Sequence, residues 1–318
     1  MMDSSLSPAE NAQNLVKKFL ASARVRPLIV LIGPTASGKT AYSIELALEL
    51  KRRGYFPEII NADSRPFYRH LDSGTAKITT EEMRGIPHHL LSVLDPKQES
   101  SIAWFQSEVS NITTAMYSRG TLPILVGGSM LYVSAIVDGL KPQIVDADVR
   151  ERLAQEYDID DGETLHTRLA SVDPQSARTI PRENKVYLLR ALEMFESTGI
   201  PKSKSVSCSE CVYDTLILCL DPSKEVLDQR INVRTKHMFE NGWVDEVRRL
   251  LALGYSEKDP AMMSHGYREI LQNIREGAIE KSIPSLMEEI ASKGRQYAKR
   301  HRTWWKEDPR VHRIMPSF

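Results

Sequence analysis

The chain has 318 residues, of which 41% are hydrophobic and 26% charged, a composition typical of a soluble globular protein with one large domain or two ordinary ones. Basic and acidic residues number 42 each, so no net field draws the whole chain to nucleic acid, although a local basic face can exist. Three cysteines exclude a disulfide framework, and neither a signal segment nor an apolar run of ~20 residues is present. We expect a cytoplasmic protein without membrane contact.

The first 24 residues precede the first strong strand pattern. They begin polar and continue with a weak helical pattern through Leu15 and Phe19. We expect an N-terminal extension that packs loosely or not at all.

A phosphate-binding loop follows the first strong strand. Residues 28–32 are apolar and β-branched, and residues 41–50 have the apolar spacing of a helix packed on a sheet. Between them, the pattern G-x-x-x-x-G-K-[ST] is filled by Gly33, Pro34, Thr35, Ala36, Ser37, Gly38, Lys39 and Thr40. Backbone N–H groups and the helix dipole would point at one anion, while Lys39 neutralises phosphate and Thr40 holds Mg²⁺. The sequence therefore predicts binding of a phosphate ester.

An acidic residue follows the second strand candidate, residues 58–62. Ligands of an open parallel sheet lie at the carboxyl ends of its strands, so Asp63 would lie near the phosphate loop if these two strands are neighbours. A capping role for Asp63 and Ser64 is equally consistent with the sequence. Residues 65–77 mix basic, aromatic and glycine residues, which favours a binding loop.

The next segment contains a short strand, a helix and a buried strand. His88 and His89 would point to opposite faces of the short strand, which favours structural hydrogen bonds over joint metal binding. An amphipathic helix is predicted over residues 102–119 and a buried strand over residues 121–127. A Gly-Gly turn then places the Ser129 hydroxyl at a strand end, where it can contact substrate.

The composition changes after residue 142. Residues 142–204 are charged and helical, so we expect an all-helical insertion domain in an α/β core made of residues 25–141 and 205–318. Arg182, Lys185 and Arg190 form a basic edge, compatible with either a solvated face or an RNA contact.

Two cysteines form a C-x-x-C pair, Cys208 and Cys211, in a Ser/Lys-rich stretch. A zinc site needs two further ligands at matching spacing, and none is apparent. Two incidental thiols fit better than a redox pair.

The C-terminal part carries two groups of cations. Arg230 and Arg234 share a helix face, where they can clamp a diphosphate or form salt bridges with carboxylates. The last helix, residues 283–305, is followed by Lys306 and interleaves its cations with aromatic side chains: Lys293, Arg295, Lys299, Arg300 and Arg302, with Tyr297, Trp304 and Trp305. Such a stripe suits a polyanion, or belongs to a helix whose tryptophans close the core.

These elements predict an α/β fold, a P-loop NTPase-like parallel sheet flanked by helices, with the helical insertion. The loop alone is compatible with kinases, GTPases, ATPases and transferases. A guanine-reading Asn-Lys-x-Asp motif and an arginine-rich lid are missing from the sequence, which disfavours a GTPase and a small nucleotide kinase.

Over about residues 25–310 the chain resembles the tRNA dimethylallyltransferases, also called tRNA isopentenyltransferases. The matches follow the order of that family: the loop 33–40, Asp63-Ser64 with Tyr68, Asp72-x-Gly74-Thr75-Ala76-Lys77, Pro87-His88-His89-Leu90, Gly127-Gly128-Ser129-x-Leu131-Tyr132, Arg190-Ala191-Leu192-Glu193, Gly266-Tyr267-Arg268 and Arg295-Gln296-x-Ala298-Lys299-Arg300. This ordered set is far more specific than the loop alone.

The resemblance implies transfer of a dimethylallyl group from dimethylallyl diphosphate to N6 of adenosine 37, in tRNAs that read codons beginning with U. It implies that the loop cradles the prenyl diphosphate and that Asp63 takes the N6 proton. It also implies that Arg234, Lys39, Thr40 and Mg²⁺ stabilise the diphosphate. The implied tRNA-binding residues are Asp63, Ser64, Arg65, Pro66, Ser129, Arg190, Gly266, Tyr267 and Arg268. We expect a monomer whose insertion and last helix grip the anticodon stem-loop.

Three positions depart from the family pattern. Tyr187, Gly294 and His301 stand where Arg, Thr and Gln are usual, and they affect RNA contacts rather than the loop, Asp63 or Arg234. An adenylate isopentenyltransferase, a P-loop kinase and a non-catalytic RNA-binding module are the alternatives. The helical insertion and basic C-terminal helix argue against the first, because a mononucleotide needs no such surface.

Overall fold

The computed structural model describes residues 8–23, 25–140, 147–204 and 211–315. The elements within these ranges are α1 (Pro8–Ser22), β1 (Pro27–Ile32), α2 (Lys39–Arg52), β2 (Pro57–Asn61), β3 (His88–His89), α3 (Ile102–Ser118), β4 (Leu122–Gly127), α4 (Met130–Val137), α5 (Ala147–Asp160), α6 (Glu163–Val172), α7 (Pro174–Thr179), α8 (Lys185–Thr198), β5 (Asp214–Leu220), α9 (Lys224–Glu240), α10 (Trp243–Ala252), α11 (Tyr267–Arg275), α12 (Ile279–Trp304) and β6 (Val311–Ile314). Among these helices, none combines the length and apolar character that crossing a bilayer requires.

Six strands form one parallel sheet in the order β3-β2-β4-β1-β5-β6. Ile29 of β1 is in register with Ile124 of β4 and Leu216 of β5. Successive residues of β1 enter two different hydrophobic clusters, with Ile29 in one and Val30 in the other. A strand buried on both faces has to be apolar throughout, which explains the continuous hydrophobic run. The predicted α/β fold with a helix-flanked parallel sheet is confirmed.

The N-terminal helix packs against this sheet. Ala12 and Val16 are buried, and they belong to the cluster that contains Ile29 and, from β6, Ile314. The expectation of a loosely packed extension is therefore wrong. Ala12, Leu15, Val16 and Phe19 follow the i, i+3, i+4, i+7 spacing of a helix face, which is enough to dock the helix. The short strand β6 was not predicted at all.

The chain divides into two compact units, residues 1–139 with 211–318, and residues 140–210. The sequence pattern predicts an insertion over residues 142–204. In the second unit, helices α5 to α8 surround a core of Leu153, Leu165, Leu169, Leu188 and Leu192. No strand occurs among residues 147–204.

Other short-range predictions meet different outcomes. His88 Nδ1 bonds with the Ile86 carbonyl and His89 Nε2 with the Glu58 carboxylate, which confirms their structural role. The thiol of Cys211 lies near the carbonyl of Tyr213. Cys208 lies outside the described residues, so the C-x-x-C prediction is untested.

Asp173 links two segments of the helical unit. It is 2% exposed, and its Oδ1 accepts hydrogen bonds from Ser176 N at 3.1 Å and Ser203 Oγ at 2.5 Å. Ser203 N donates to Oδ2 at 2.9 Å. Burial alone would raise the pKa of this carboxyl, but the hydrogen bonds outweigh it and lower the pKa to about 2.

We predict that Asp173→Ala destabilises the helical unit by about 1–2 kcal/mol, because α7 loses its N-cap and Ser203 loses its acceptor. Hydrogen exchange of amides in α6 to α8 measures the loss. Since folding lowers the pKa of Asp173, its contribution is present above pH ~4 and disappears as the pH falls toward 2. Asp158→Ala, which removes an exposed partner of Lys185, is the control and should have little effect. Equal protection in both variants would contradict the capping role.

Candidate active site

The phosphate loop has the geometry that its sequence predicts. Gly38 is the N-cap residue of α2 with φ +95°, a conformation that side chains rarely adopt. A Cβ on Gly33 would lie 2.6 Å from Ser37 Oγ and 2.7 Å from the Leu220 carbonyl oxygen. Both glycines are therefore required, one by backbone conformation and the other by close packing against the end of β5.

Lys39 lies inside the loop and is 9% exposed. Its ammonium donates to the carbonyl oxygens of Gly33 at 2.9 Å and Pro34 at 3.1 Å. Burial lowers the pKa of Lys39, and the charge of Asp63 acts in the opposite direction. The buried Ser37 Oγ has no hydrogen-bond partner within the described ranges, whereas Thr40 is exposed at the start of α2. The loop thus offers N–H groups, a cation and hydroxyls to an anion.

Asp63 reaches this loop by a route that the sequence did not reveal. The sequence placed Asp63 near the loop only if β1 and β2 are neighbours, and in the sheet β4 lies between them. Gly128, just beyond the end of β4, donates its N–H to Asp63 Oδ1. A Cβ on Gly128 would lie 3.2 Å from Lys39 Nζ and 3.4 Å from Asp63 Oδ1. The carboxylate and the ammonium therefore flank this glycine.

Asn61, which sequence reasoning missed, holds the backbone of Asp63. Its Oδ1 accepts from Asp63 N at 3.0 Å, and its Nδ2 donates to the Asp63 carbonyl at 2.9 Å and the Leu90 carbonyl at 3.0 Å. The sequence did offer a sign of this role, because Asn61 is a polar residue at the end of a buried strand. The Asp63 carboxylate caps no described helix; it bonds with Gly128 across the sheet.

Ser129 and Tyr297 lie beside the contact between Asp63 and Gly128. Ser129 Oγ accepts from Ser64 N at 3.2 Å, and the Tyr297 hydroxyl donates to the Gly128 carbonyl at 3.1 Å. Residues from the ends of β2 and β4 and from α12 thus meet at one place. The predicted substrate contacts Asp63, Ser64 and Ser129 are brought together.

Arg230 and Arg234 of α9 approach from another side. Arg234 Nη2 donates to the Thr75 carbonyl at 2.8 Å, and Arg230 Nη1 contacts the Ser37 carbonyl at 3.4 Å. Within the described residues neither guanidinium pairs with a carboxylate, so the salt-bridge alternative does not hold. Burial lowers the pKa of Arg234, and the negative charge of Asp63 acts in the opposite direction. Their remaining N–H groups can bind phosphate oxygens.

A buried carboxylate that the sequence did not single out fixes the loop carrying Thr75. Glu246 is 2% exposed and accepts from the N–H groups of Asp72 at 2.8 Å, Ser73 at 2.7 Å and Gly74 at 3.1 Å. The Tyr267 hydroxyl donates to it at 2.6 Å. Glu246 therefore sets the position of the carbonyl that holds Arg234.

The remaining predicted RNA contacts have different surroundings. Tyr267 is 0% exposed, which does not fit a direct RNA contact, and Gly266 is buried against Trp243, 2.1 Å from where its Cβ would lie. Arg268 is exposed, and Arg65 and Pro66 are partly exposed beside Asp63. Arg190 belongs to the helical unit, where it pairs with the buried Glu193 at 3.0 Å.

The cations near the end of the chain are mostly ion-paired. Lys293, Arg295, Arg302 and Lys306 each contact a carboxylate, whereas Lys299 and Arg300 have no such partner in the part of the chain that is described. Trp305 is 2% exposed and closes the core, while Trp304 is 49% exposed. Of the predicted stripe, Lys299 and Arg300 are the cations without a carboxylate partner in the described chain, and Trp304 is the half-exposed tryptophan.

Comparison with known proteins gives a consistent result. The IPP transferase family model matches residues 66–308. A tRNA dimethylallyltransferase from Symbiobacterium thermophilum is 40% identical over 90% of this chain and 88% of its own length. The structure of the tRNA isopentenylpyrophosphate transferase from Bacillus halodurans has a TM-score of 0.65 at 34% identity, covering 91% of this chain and 90% of that one.

A eukaryotic dimethylallyltransferase acting on tRNA shares the fold, with a TM-score of 0.74 at 24% identity over 91% of this chain and 74% of that one. The family model begins at residue 66 and therefore does not include Asp63. The alignment to the relative from Symbiobacterium thermophilum spans 289 residues and is long enough to include it. Together, the family model and the identity to relatives cover nearly the whole chain. The protein belongs to the IPP transferase family, whose curated relatives are named tRNA dimethylallyltransferases.

Proposed function

We propose that this protein transfers a dimethylallyl group from dimethylallyl diphosphate to N6 of adenosine 37, in tRNAs that read codons beginning with U. The observation that carries the proposal is the pairing of an anion-binding loop with a carboxylate across Gly128. The products would be N6-(dimethylallyl)adenosine and diphosphate. A cytoplasmic, monomeric enzyme is part of the same proposal.

Asp63 would act as the general base. The N6 amine of adenine is a poor nucleophile, because its lone pair is delocalised into the ring. As the N6–carbon bond forms and the bond from carbon to the diphosphate oxygen breaks, the amine loses a proton to the carboxylate. Gly128 N–H occupies Oδ1 and orients the group, which leaves Oδ2 for the proton.

The loop, Lys39, Arg230 and Arg234 would hold the diphosphate as negative charge builds on it. Each of these cations already lies against a backbone carbonyl of the loop or of Thr75. Positions fixed before the substrate arrives need little reorganisation during the reaction.

Mg²⁺ fits the exposed hydroxyl of Thr40 at the mouth of this loop. Mg²⁺ is bound by oxygen ligands and keeps several waters, so one or two protein oxygens beside phosphate suffice. When bound, the metal would neutralise part of the leaving group's charge.

In the α/β unit, the residues that contact RNA would include Arg268, Lys299, Arg300 and the half-exposed Trp304. In the helical unit, considered by itself, they would include Arg190 and the exposed Tyr187. Cations bind the phosphate backbone, and aromatic rings stack with unpaired bases. The target adenine would have to leave its stack to reach Asp63. The names of the relatives favour tRNA over a free mononucleotide as the acceptor.

We predict that labelled dimethylallyl diphosphate with Mg²⁺ transfers label to an unmodified anticodon stem-loop and not to AMP or ATP. Replacing the target adenosine by guanosine should abolish incorporation, because guanosine has no N6 amine. Label in the mononucleotides would instead support an adenylate isopentenyltransferase. Phosphate transfer from ATP would support a kinase.

We predict that Asp63→Asn lowers kcat by roughly 10²–10⁴-fold, because the amide keeps the shape but cannot take the proton. Affinity for inorganic diphosphate should change little, since the loop is intact. Single-turnover transfer and calorimetry measure the two quantities separately. A wild-type rate would rule out Asp63 as the base.

We predict that Arg234→Gln lowers the transfer rate by roughly 10²–10³-fold through loss of charge at the leaving group. Lys236→Gln on the same helix is the matched control, because Lys236 is exposed and pairs only with Glu240 in the described chain. A similar loss in both variants would point to damage of α9 rather than to diphosphate binding.

A further inference from the structure

His301 of α12 is a buried histidine whose ring has no hydrogen-bond partner among the described residues. Its side chain is 1% exposed, and neither Nδ1 nor Nε2 has a hydrogen-bond partner in the described part of the chain. A neutral imidazole has one N–H donor and one acceptor nitrogen. Buried polar atoms nearly always find partners, so two unpartnered atoms in one ring point to a ligand from outside the chain.

The fold places His301 above the end of β1. On one side, Tyr297 of α12 donates to the Gly128 carbonyl just beyond β4. On the other side, Arg302 Nε donates to Asp221 Oδ1 at 2.8 Å, just beyond β5. Because β1 lies between β4 and β5, the segment of α12 from Tyr297 to Arg302 crosses the point where the phosphate loop begins.

Packing gives the same position independently. Ala298, about one turn before His301, is buried in a small cluster with Ile231 of α9, and Ala36 of the phosphate loop packs against that cluster. Residues of α12, α9 and the phosphate loop therefore share one small apolar cluster.

The electrostatic surroundings of the ring are positive. Burial, and then the charges of Lys39 and Arg302, lower the pKa of His301 to about 3. The ring is therefore neutral at pH 7 and has one N–H to donate. Arg302 donates hydrogen bonds to Asp221 and to the Pro222 carbonyl, whereas the His301 ring makes no hydrogen bond among the described residues.

We propose that His301 is a binding residue for the diphosphate of the prenyl donor and donates a ring N–H to a phosphate oxygen held in the loop. This inference rests on the proposed function. It adds a neutral donor from α12 to the loop N–H groups and to Lys39, whereas the sequence pattern led us to expect that His301 affects RNA contacts and not the loop. The helix that closes the sheet then also contributes to substrate binding.

The test is binding of inorganic diphosphate, in the presence of Mg²⁺, measured by calorimetry. His301→Phe keeps a ring but has no donor, and we expect roughly ten- to a hundredfold weaker binding, as for the loss of one hydrogen bond to a charged group. His301→Gln keeps an N–H and should bind nearly as the wild type. Trp305→Phe removes another buried, unpartnered N–H, at the C-cap of the same helix, and should leave binding unchanged.

A second readout uses the folded wild-type protein. The ring nitrogen resonances of His301, assigned by their loss in His301→Gln, should move when diphosphate is added. Unmoved resonances at saturating diphosphate, or wild-type affinity in His301→Phe, would overturn the inference. If His301→Phe does not fold, the resonances of the wild-type protein decide. A wild-type protein that binds no diphosphate would instead overturn the proposed function, and this inference with it.

Discussion

The close approach of backbones at Gly127 and Gly128 is the constraint on which the site depends. A Cβ on Gly127 would lie 2.4 Å from the carbonyl carbon of Ala62, and one on Gly128 would lie 2.9 Å from the Gly33 carbonyl oxygen. Side chains at either position would separate β2 from β4, or β4 from the phosphate loop. Without these contacts Asp63 and Lys39 would belong to separate parts of the sheet edge, and the proposed base would lie far from the proposed diphosphate site.

Buried carboxylates give the surrounding loops their rigidity. Glu246 gathers three consecutive backbone N–H groups and the Tyr267 hydroxyl, and Glu269 accepts from Gly266 N and Lys293. An ionised group in a low-dielectric interior is stable only when donors surround it. The position of the Thr75 carbonyl, which accepts from Arg234, therefore depends on the buried carboxylate of Glu246.

Helix α12 contacts the ends of two strands and also exposes cationic side chains. Trp305 fills the core, Tyr297 bonds with the Gly128 carbonyl, and Arg302 pairs with Asp221, so α12 bridges the ends of β4 and β5. The same helix leaves Lys299, Arg300 and Trp304 toward solvent. In the proposed function, this helix both spans the ends of β4 and β5 and offers cations and an aromatic ring to the RNA.

The phosphate loop and the α/β architecture could be predicted because their determinants are local: a strand, a loop and a helix in contiguous residues, and apolar runs that parallel sheets require. Strand-end position and helix spacing marked Asp63 and Arg234 as candidates, and the family resemblance added their expected roles. Only the tertiary structure placed β4 between β1 and β2, docked α1, and assigned Glu246, Asn61 and His301 their surroundings. Strand order and burial depend on which segments, far apart in the sequence, pack against each other. A short sequence pattern does not specify these contacts.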